Sequence, residues 1–252
     1  MADNCCPPGS WPLLLQDANY TPAGEVSTIA TDLPLYVAKP DGETVGAVIV
    51  LPEVFGFEGR LKQICDTLAS KGYFVAMPDC HRGDSAKGKP SVPDWVKDCE
   101  EKYPVVEDLK QVIACIQSAT TPDIKISAIG HCWGAWAWAK AGEAGLPLVC
   151  GISPHPSIKL EEFAFKKSQE ELCEKVKFPT LLMAAGNDPD NIKPGGSLVE
   201  IFAKNCPGSE AVPFPDMLHG WFSRGDLAQP NVQRDVEKTM QLVCDFLAKY
   251  HA

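Results

Sequence analysis

Runs of apolar residues alternate along the chain with stretches in which apolar residues recur every three or four positions. Residues 47–51 are all apolar, which is typical of a strand covered on both faces. Residues 60–71 place four apolar side chains on one side of a helix, which Gly72 ends. The same patterns predict further strands at residues 73–77, 124–129, 148–152, 179–185 and 211–214. They predict further helices at residues 92–103, 105–118, 135–140, 161–175, 198–204 and 232–251.

Strands that alternate with helices predict an α/β fold. Its mostly parallel, doubly wound sheet carries helices on both faces, which makes a three-layer α/β/α sandwich. Residues 26–31 and 34–38 alternate around a turn and predict an antiparallel hairpin at a sheet edge. Residues 1–24 contain several Pro, Gly and Asn residues, so we expect an irregular lead-in there. Residues 25–252 are then expected to form a single domain, since no repeat or linker divides them.

The overall charge narrows the classes of partner. A net charge of −10 and a pI near 5.0 argue against general binding to nucleic acid or to an anionic membrane. No apolar run approaches the length of a membrane span, and no amino-terminal signal peptide is visible. We therefore expect a cytoplasmic protein that acts on a small molecule, as a monomer or a weak homodimer.

Cysteine is abundant, with 11 residues in 252. The number is odd, no Cys-x-x-Cys pair occurs, and several cysteines lie inside apolar runs, as Cys115 and Cys150 do. These features indicate reduced thiols rather than a framework of disulfides. The adjacent Cys5 and Cys6 could bind a metal or become oxidised, but an amino-terminal segment is more often loosely ordered.

The segment Gly130-His131-Cys132-Trp133-Gly134 stands between a predicted strand and a predicted helix. A sharp strand-to-helix turn needs small residues two positions either side of its tip, and it pushes the tip side chain outward. This is the pattern of a nucleophile elbow, with Cys132 where serine is more usual. The free amides at the start of the helix would favour a thiolate or an oxyanion beside it. The alternative is that Cys132 is simply a small buried hydrophobic residue.

Polar residues follow five of the predicted strands, at the rim where the carboxyl ends of parallel strands meet. They are Glu53, Arg82, Cys132, Asp188 and His219. The order nucleophile, acid, histidine is that of the catalytic triad in α/β hydrolases. Each residue also has an ordinary interpretation, because Gly-Asn-Asp-Pro is a good turn sequence and Glu53 suits the cap of a following helix.

Five motifs together resemble the dienelactone hydrolase family of the α/β-hydrolase superfamily. The likeness runs from about residue 25 to residue 250, and its motifs are LPEVFG at 51–56, PD at 78–79 leading to Arg82, GHCWG at 130–134, GNDP at 186–189 and HGWFSRG at 219–225. The resemblance implies a Cys132–His219–Asp188 triad that needs no metal or organic cofactor. Asp190 competes with Asp188 for the acid role, and Asp188 is favoured because it lies nearer to Gly186.

The resemblance also implies roles around the triad. Glu53 would accept a hydrogen bond from the resting thiol, and the backbone amides of Val54 and Trp133 would form the oxyanion hole. Arg82 and Arg224 would hold an anionic substrate. Together these expectations describe a hydrolase that cleaves an ester or lactone of a small carboxylate-bearing molecule through an acyl-thioester. Two alternatives stay open, a general carboxylesterase or thioesterase and a non-catalytic ligand-binding module of the same fold.

Overall fold

One sheet runs through the centre of the molecule. The computed structural model describes residues 6–13 and 20–252, and within these residues eight strands join in the order β1-β2-β4-β3-β5-β6-β7-β8. The strands β1 and β2 form the predicted antiparallel hairpin, β2 also pairs antiparallel with β4, and every other neighbouring pair is parallel. The strands are β1 (Glu25–Ile29), β2 (Leu33–Ala38), β3 (Gly46–Leu51), β4 (Tyr73–Pro78), β5 (Ile126–Gly130), β6 (Leu148–Pro154), β7 (Thr180–Ala185) and β8 (Glu210–Phe214).

Helices cover both faces of this sheet, as the alternating pattern predicts. They are α1 (Leu61–Ala69), α2 (Val92–Lys102), α3 (Val105–Ala119), α4 (Trp133–Glu143), α5 (Leu160–Phe163), α6 (Gln169–Lys175), α7 (Ser197–Asn205), α8 (Trp221–Arg224) and α9 (Pro230–His251), with a 3-10 helix at Asp190–Ile192. In β3, Val48 and Val50 pack with α1 and α9, whereas Ile49 packs with α3 and α4. Successive side chains of a strand point to opposite faces, so each face of the sheet has its own apolar core. The predicted α/β-hydrolase fold and its three layers are therefore confirmed.

One predicted helix is wrong. Residues 161–175 were expected to form a single charged helix, but the chain forms α5 and α6 with a break between them. Lys166 in that break has a φ of 57°, which a continuing right-handed helix cannot contain. Ser168 then caps α6 by accepting a hydrogen bond from the backbone N–H of Glu171. Because the segment is rich in charged residues, its sequence pattern indicated neither the break nor the start of α6.

Residues 6–13 and 20–24 belong to no helix or strand, while Cys5 and the other residues in 1–5 and 14–19 lie outside the described part. Among the described residues, none of the helices has the length and apolar character needed to cross a bilayer.

The strand order creates a switch point between β3 and β5. After β3 the chain moves to one side to form β4, and it then returns to place β5 on the other side of β3. Leu51 and Gly130, the last residues of these two strands, are partners in the parallel register. A crevice forms where loops leave such neighbouring strands in opposite directions, and ligands of open α/β sheets bind there. Glu53 and Cys132 each follow two residues after these strand ends.

Candidate active site

A strained turn holds Cys132 at the end of β5. Its φ is 51°, in the left-handed region that residues with a side chain rarely adopt, and α4 begins at the next residue. A Cβ atom on Gly130 would collide with the carbonyl oxygen of Gly134, and one on Gly134 would collide with the carbonyl of Leu51. The two glycines are therefore required by close backbone contacts between β5, α4 and β3. This is the geometry that the sequence pattern predicts for a nucleophile elbow.

The acid and the histidine come from the loops after β7 and β8. Nδ1 of His219 lies 2.6 Å from Oδ1 of Asp188, and both side chains are fully buried. The other Asp188 oxygen accepts a hydrogen bond of 2.8 Å from the backbone N–H of Ala185. Asp190 instead exposes 97% of its side chain and pairs with Lys193. The structure thus brings Asp188, and not Asp190, to the histidine.

His219 carries a raised pKa. Burial alone would lower it, but the charge and hydrogen bond of Asp188, with a smaller contribution from Cys6, raise the pKa of His219 to about 9. A carboxylate only accepts hydrogen bonds, so Nδ1 holds the proton shared with Asp188 and Nε2 is left to face the rest of the site. The imidazole can therefore hold a second proton at neutral pH.

Four side chains with nucleophilic or metal-binding atoms converge at this point. One such atom from each of Cys6, Glu53, Cys132 and His219 lies within 4.8 Å of the other three. Two thiols, an imidazole and a carboxylate are a donor set that suits zinc. However, the guanidinium of Arg224 lies at the same place, and its positive charge opposes a cation. The cluster is thus better suited to chemistry at sulfur than to holding a metal ion.

Glu53 and Arg224 form a buried ion pair beside the cluster. Nη2 of Arg224 lies 2.8 Å from Oε2 of Glu53, and its Nε donates a hydrogen bond of 3.0 Å to Oε1. The hydroxyl of Ser223 also donates to Glu53, and Nη1 of Arg224 donates to the backbone carbonyl of Trp11. Burial alone would lower the pKa of Arg224, but the Glu53 carboxylate outweighs it and raises the pKa. Arg224 is therefore a permanent positive charge in the site.

Arg82 lies in a different environment. Its two terminal nitrogens bind the Asp108 carboxylate of α3 at 2.6 and 2.8 Å, and its Nε donates to Asp32 at 3.0 Å. The guanidinium also stacks on the ring of Tyr103 at 4.3 Å. This placement argues against the substrate-binding role expected from the sequence, because two carboxylates already take up the hydrogen bonds of Arg82.

The two amides expected to form an oxyanion hole follow the switch-point strands. Trp133 is the first residue of α4, where a helix has no internal acceptor for the backbone N–H. Val54 follows Glu53 in the loop after β3, and it is buried. The backbone N–H of His131 donates to the carbonyl of Leu51 at 3.0 Å, which ties the two loops together. The elements that carry Val54 and Trp133 are therefore neighbours.

Sequence reasoning missed four residues of the site. His155 follows β6 with a φ of 45°, and its ring lies 4.8 Å from that of His219. Ser157 lies 3.4 Å from the Cys132 sulfur, and the hydroxyl of Ser223 lies 3.4 Å from Nε2 of His155. Cys6 lies 3.8 Å from the Cys132 sulfur. His155 and Ser157 follow a predicted strand, as the other rim residues do. Their position was therefore the sequence feature that could have identified them as site residues.

A comparison with protein families gives a match for most of this chain. Residues 33–251 match the sequence profile of the dienelactone hydrolase family, a stretch that includes β2 to β8 and every residue of the proposed triad. The chain belongs to the dienelactone hydrolase family. The family resemblance that the five motifs indicate is thereby confirmed.

Individual relatives are distant. An uncharacterized AIM2 family protein of Schizosaccharomyces pombe is 25% identical and covers 96% of this chain and 97% of its own length. A maize endo-1,3;1,4-beta-D-glucanase is 28% identical over 56% of this chain, and a Methylorubrum extorquens protein assigned as a carboxymethylenebutenolidase is 27% identical over 68%. The matched stretches span only 43% and 62% of those two proteins.

Solved structures agree on the fold. The Pyrococcus furiosus esterase Pf2001 superimposes with a TM-score of 0.65, and it covers 96% of this chain and 100% of its own. Its sequence is 17% identical. At that identity the likeness supports the α/β-hydrolase architecture and does not extend to the chemistry.

Proposed function

We propose that this protein is a cysteine hydrolase that cleaves an ester or lactone of a small carboxylate-bearing molecule through an acyl-thioester. The main support is the arrangement of Cys132, His219 and Asp188. The Cys132 sulfur lies within 4.8 Å of a ring nitrogen of His219, and the Asp188 carboxylate binds Nδ1 of the same ring. Family membership and the esterase fold of the structural relatives support the reaction class. The names of the Methylorubrum and Pyrococcus relatives point to the same kind of bond.

The reaction uses the three triad residues in turn. Cys132 passes its thiol proton to Nε2 of His219, and its sulfur attacks the carbonyl carbon. The oxygen of the tetrahedral intermediate then binds the amides of Val54 and Trp133, at about 2.7–4 kcal/mol per donor in comparable sites. His219 gives its proton to the leaving alcohol oxygen and the thioester forms. His219 then takes a proton from water, which attacks the thioester and releases the acid. Asp188 keeps the ring oriented in both steps.

Arg224 is the group proposed to bind the substrate carboxylate. Its Nη1 donates to the neutral backbone carbonyl of Trp11, and a substrate carboxylate that replaced this acceptor would make a stronger, charge-assisted hydrogen bond. Arg224 is also buried and close to the nucleophile, so an anion bound there lies next to the reacting carbonyl. Arg82 has no part in this proposal, because Asp108 and Asp32 already bind it.

Glu53 is proposed to restrain the thiol before substrate arrives. A carboxylate oxygen of Glu53 lies within 4.8 Å of the Cys132 sulfur, although its shorter contacts are with Arg224 and Ser223. An anion next to the sulfur disfavours the thiolate, which is the form that oxidises. A substrate carboxylate that binds Arg224 would draw the guanidinium away from Glu53. The electrostatic environment of the Cys132 sulfur would then change.

A general carboxylesterase or thioesterase is the second candidate, and one observation favours it. Arg224 already has a carboxylate partner in Glu53, which balances its positive charge. An uncharged ester could therefore enter without breaking the ion pair. The two candidates differ in whether a free carboxylate on the substrate increases kcat/KM.

A matched pair of substrates tests the proposal. A free-acid dienelactone and its methyl ester are assayed on the unmutated protein, on Arg224→Lys and on Arg82→Ala. We expect a preference for the acid that falls by about ten- to a hundredfold in Arg224→Lys, since losing a charged hydrogen bond costs roughly 1.5–3 kcal/mol. Arg82→Ala is the matched control and should keep the preference.

Other results would redirect the assignment. Equal hydrolysis of both substrates by the unmutated protein would favour the general esterase. Hydrolysis of neither, with Cys132 shown to be intact by mass spectrometry, would favour the binding module. Activity that survives in Cys132→Ala would exclude the cysteine as nucleophile.

A further inference from the structure

The amino-terminal segment 6–13 lies directly against the candidate active site. The backbone N–H of Trp11 donates to the carbonyl of His219 at 2.9 Å, and Nδ2 of Asn187 donates to the carbonyl of Pro8 at 3.0 Å. Arg224 donates to the carbonyl of Trp11. These three contacts fix the segment to the loops after β7 and β8 and to α8. Cys6 is therefore held next to the nucleophile by bonds that other residues make.

Two thiols face each other at this point. The sulfur atoms of Cys6 and Cys132 lie 3.8 Å apart, which is close to contact between two non-bonded sulfurs, and a covalent S–S bond of about 2.0 Å needs a movement of about 2 Å. Cys132 is fully buried, whereas Cys6 is only partly buried. Nη2 of Arg224 lies 3.8 Å from the Cys6 sulfur. Cys6 is thus the thiol that a solute from solvent meets first, and it stands beside a positive charge.

We propose that Cys6 and Cys132 form a reversible disulfide when a hydroperoxide reaches the site. The disulfide would make the Cys132 sulfur unavailable as a nucleophile and would protect it from irreversible oxidation. Transient disulfides of this kind are the form that redox sensing takes in reducing compartments. The proposal adds a modification site and a second functional thiol to the triad.

One hydroperoxide is consumed for each disulfide that forms. The Cys6 thiol loses its proton and attacks the outer peroxide oxygen as a thiolate, and the O–O bond breaks. The leaving oxygen takes up that proton and departs as an alcohol or water, which leaves Cys6 as a sulfenic acid. The Cys132 thiolate then attacks the Cys6 sulfur and expels hydroxide. His219, whose pKa is raised to about 9, supplies the proton that converts the hydroxide to water. A dithiol reductant reverses the reaction by thiol–disulfide exchange.

Four of the other described cysteines are poorer candidates for this reaction. Burial raises the pKa of Cys99 to about 11 and that of Cys150 to about 12. It also raises the pKa values of Cys65 and Cys173 well above the ordinary value. Thiols with raised pKa values react slowly with peroxide, because the thiolate is the reactive form. The 3.8 Å separation of the two sulfurs and the raised pKa values of these four thiols together favour oxidation of the Cys6–Cys132 pair over these four.

Mass spectrometry provides a test that does not depend on activity. The full-length protein is reduced, freed of reductant, treated with hydrogen peroxide, alkylated and digested without reduction. We expect a peptide that links Cys6 to Cys132 in the unmutated protein and in the control Cys99→Ser, and its absence in Cys6→Ser. Oxidation of Cys132 to sulfinic acid without any link, or a link from Cys5 instead, would overturn the proposal.

Activity provides the second measurement, and this part alone rests on the proposed function. Peroxide should lower hydrolysis about tenfold or more in every variant, because the thiolate is the nucleophile. Dithiothreitol should restore it in the unmutated protein and in Cys99→Ser, but not in Cys6→Ser, where Cys132 proceeds to sulfinic acid. Equal recovery in Cys6→Ser would refute a protective role. A linked peptide in a protein without hydrolase activity would refute the proposed function alone.

Discussion

Replacement of Asp188 by Asn tests the geometry of the proposed triad most directly. The Asp188 carboxylate is fully buried, contacts His219 at 2.6 Å and is held by the backbone N–H of Ala185 at 2.8 Å. An amide of the same shape keeps the packing but removes the negative charge. It can also present an N–H to Nδ1 and thereby favour the wrong tautomer of the ring. The histidine would then lose both its orientation and its charge partner.

The pKa of His219 and the serine-protease analogue together set the size of the expected effect. The difference between the ordinary 6.5 and the value of about 9 corresponds to roughly 3 kcal/mol in favour of the imidazolium, at about 1.4 kcal/mol for each tenfold change. Without Asp188, burial is the main influence left, and it lowers the pKa. Loss of a triad acid reduces kcat by about 10⁴ in the serine-protease analogue. We expect a decrease of about 10³–10⁴ here.

The assay is the pH dependence of kcat/KM between pH 5 and pH 10 for the hydrolysed substrate. In the unmutated protein His219 is protonated below a pH of about 9, so activity should decline as pH rises through that value. In Asp188→Asn the decline should move to lower pH. Asp190→Asn is the matched control, since its side chain is exposed, and it should match the unmutated protein. Activity of Asp188→Asn within a few-fold of Asp190→Asn, with an unmoved decline, would refute this assignment.

Two further predictions concern stability. Glu53→Gln leaves the buried Arg224 guanidinium without a charge partner, so urea denaturation should show about 3 kcal/mol less free energy of unfolding. The half-exposed pair of Glu107 with Lys110 is the control, and Glu107→Gln should cost less than about 1 kcal/mol. Gly130→Ala should prevent soluble expression, because its Cβ meets the α4 backbone; a soluble, active variant would contradict the tight-elbow description.

Most of the fold was predictable because its physical signals are local. The continuous apolar run of β3 and the apolar spacing of α1 each follow from their own residues. The hairpin of β1 and β2 follows from alternation around a short turn. The break between α5 and α6 was not predictable in the same way, because Ser168 and Lys166 look like ordinary members of a charged helix.

The site was only partly predictable, since sequence patterns identify charged residues but not their partners. Arg82 follows a strand as a substrate-binding residue would, yet Asp108 and Asp32, which bind it, lie 26 and 50 positions away. Cys6 lies in a segment without periodicity, and no local pattern connects it with residue 132. These pairings depend on how distant segments pack, so they required the three-dimensional structure.

The order of the elements along the chain also determines when the site can form during synthesis. Cys132 follows β5 at the centre of the sheet, whereas Asp188 and His219 follow β7 and β8 at one edge. A ribosome synthesises Cys132 56 residues before Asp188 and 87 residues before His219, since 188 − 132 is 56 and 219 − 132 is 87. The proposed triad can therefore be complete only after β7, β8 and the loops that follow them have been made. The two thiols of the proposed disulfide, Cys6 and Cys132, are by contrast both made before Asp188 and His219.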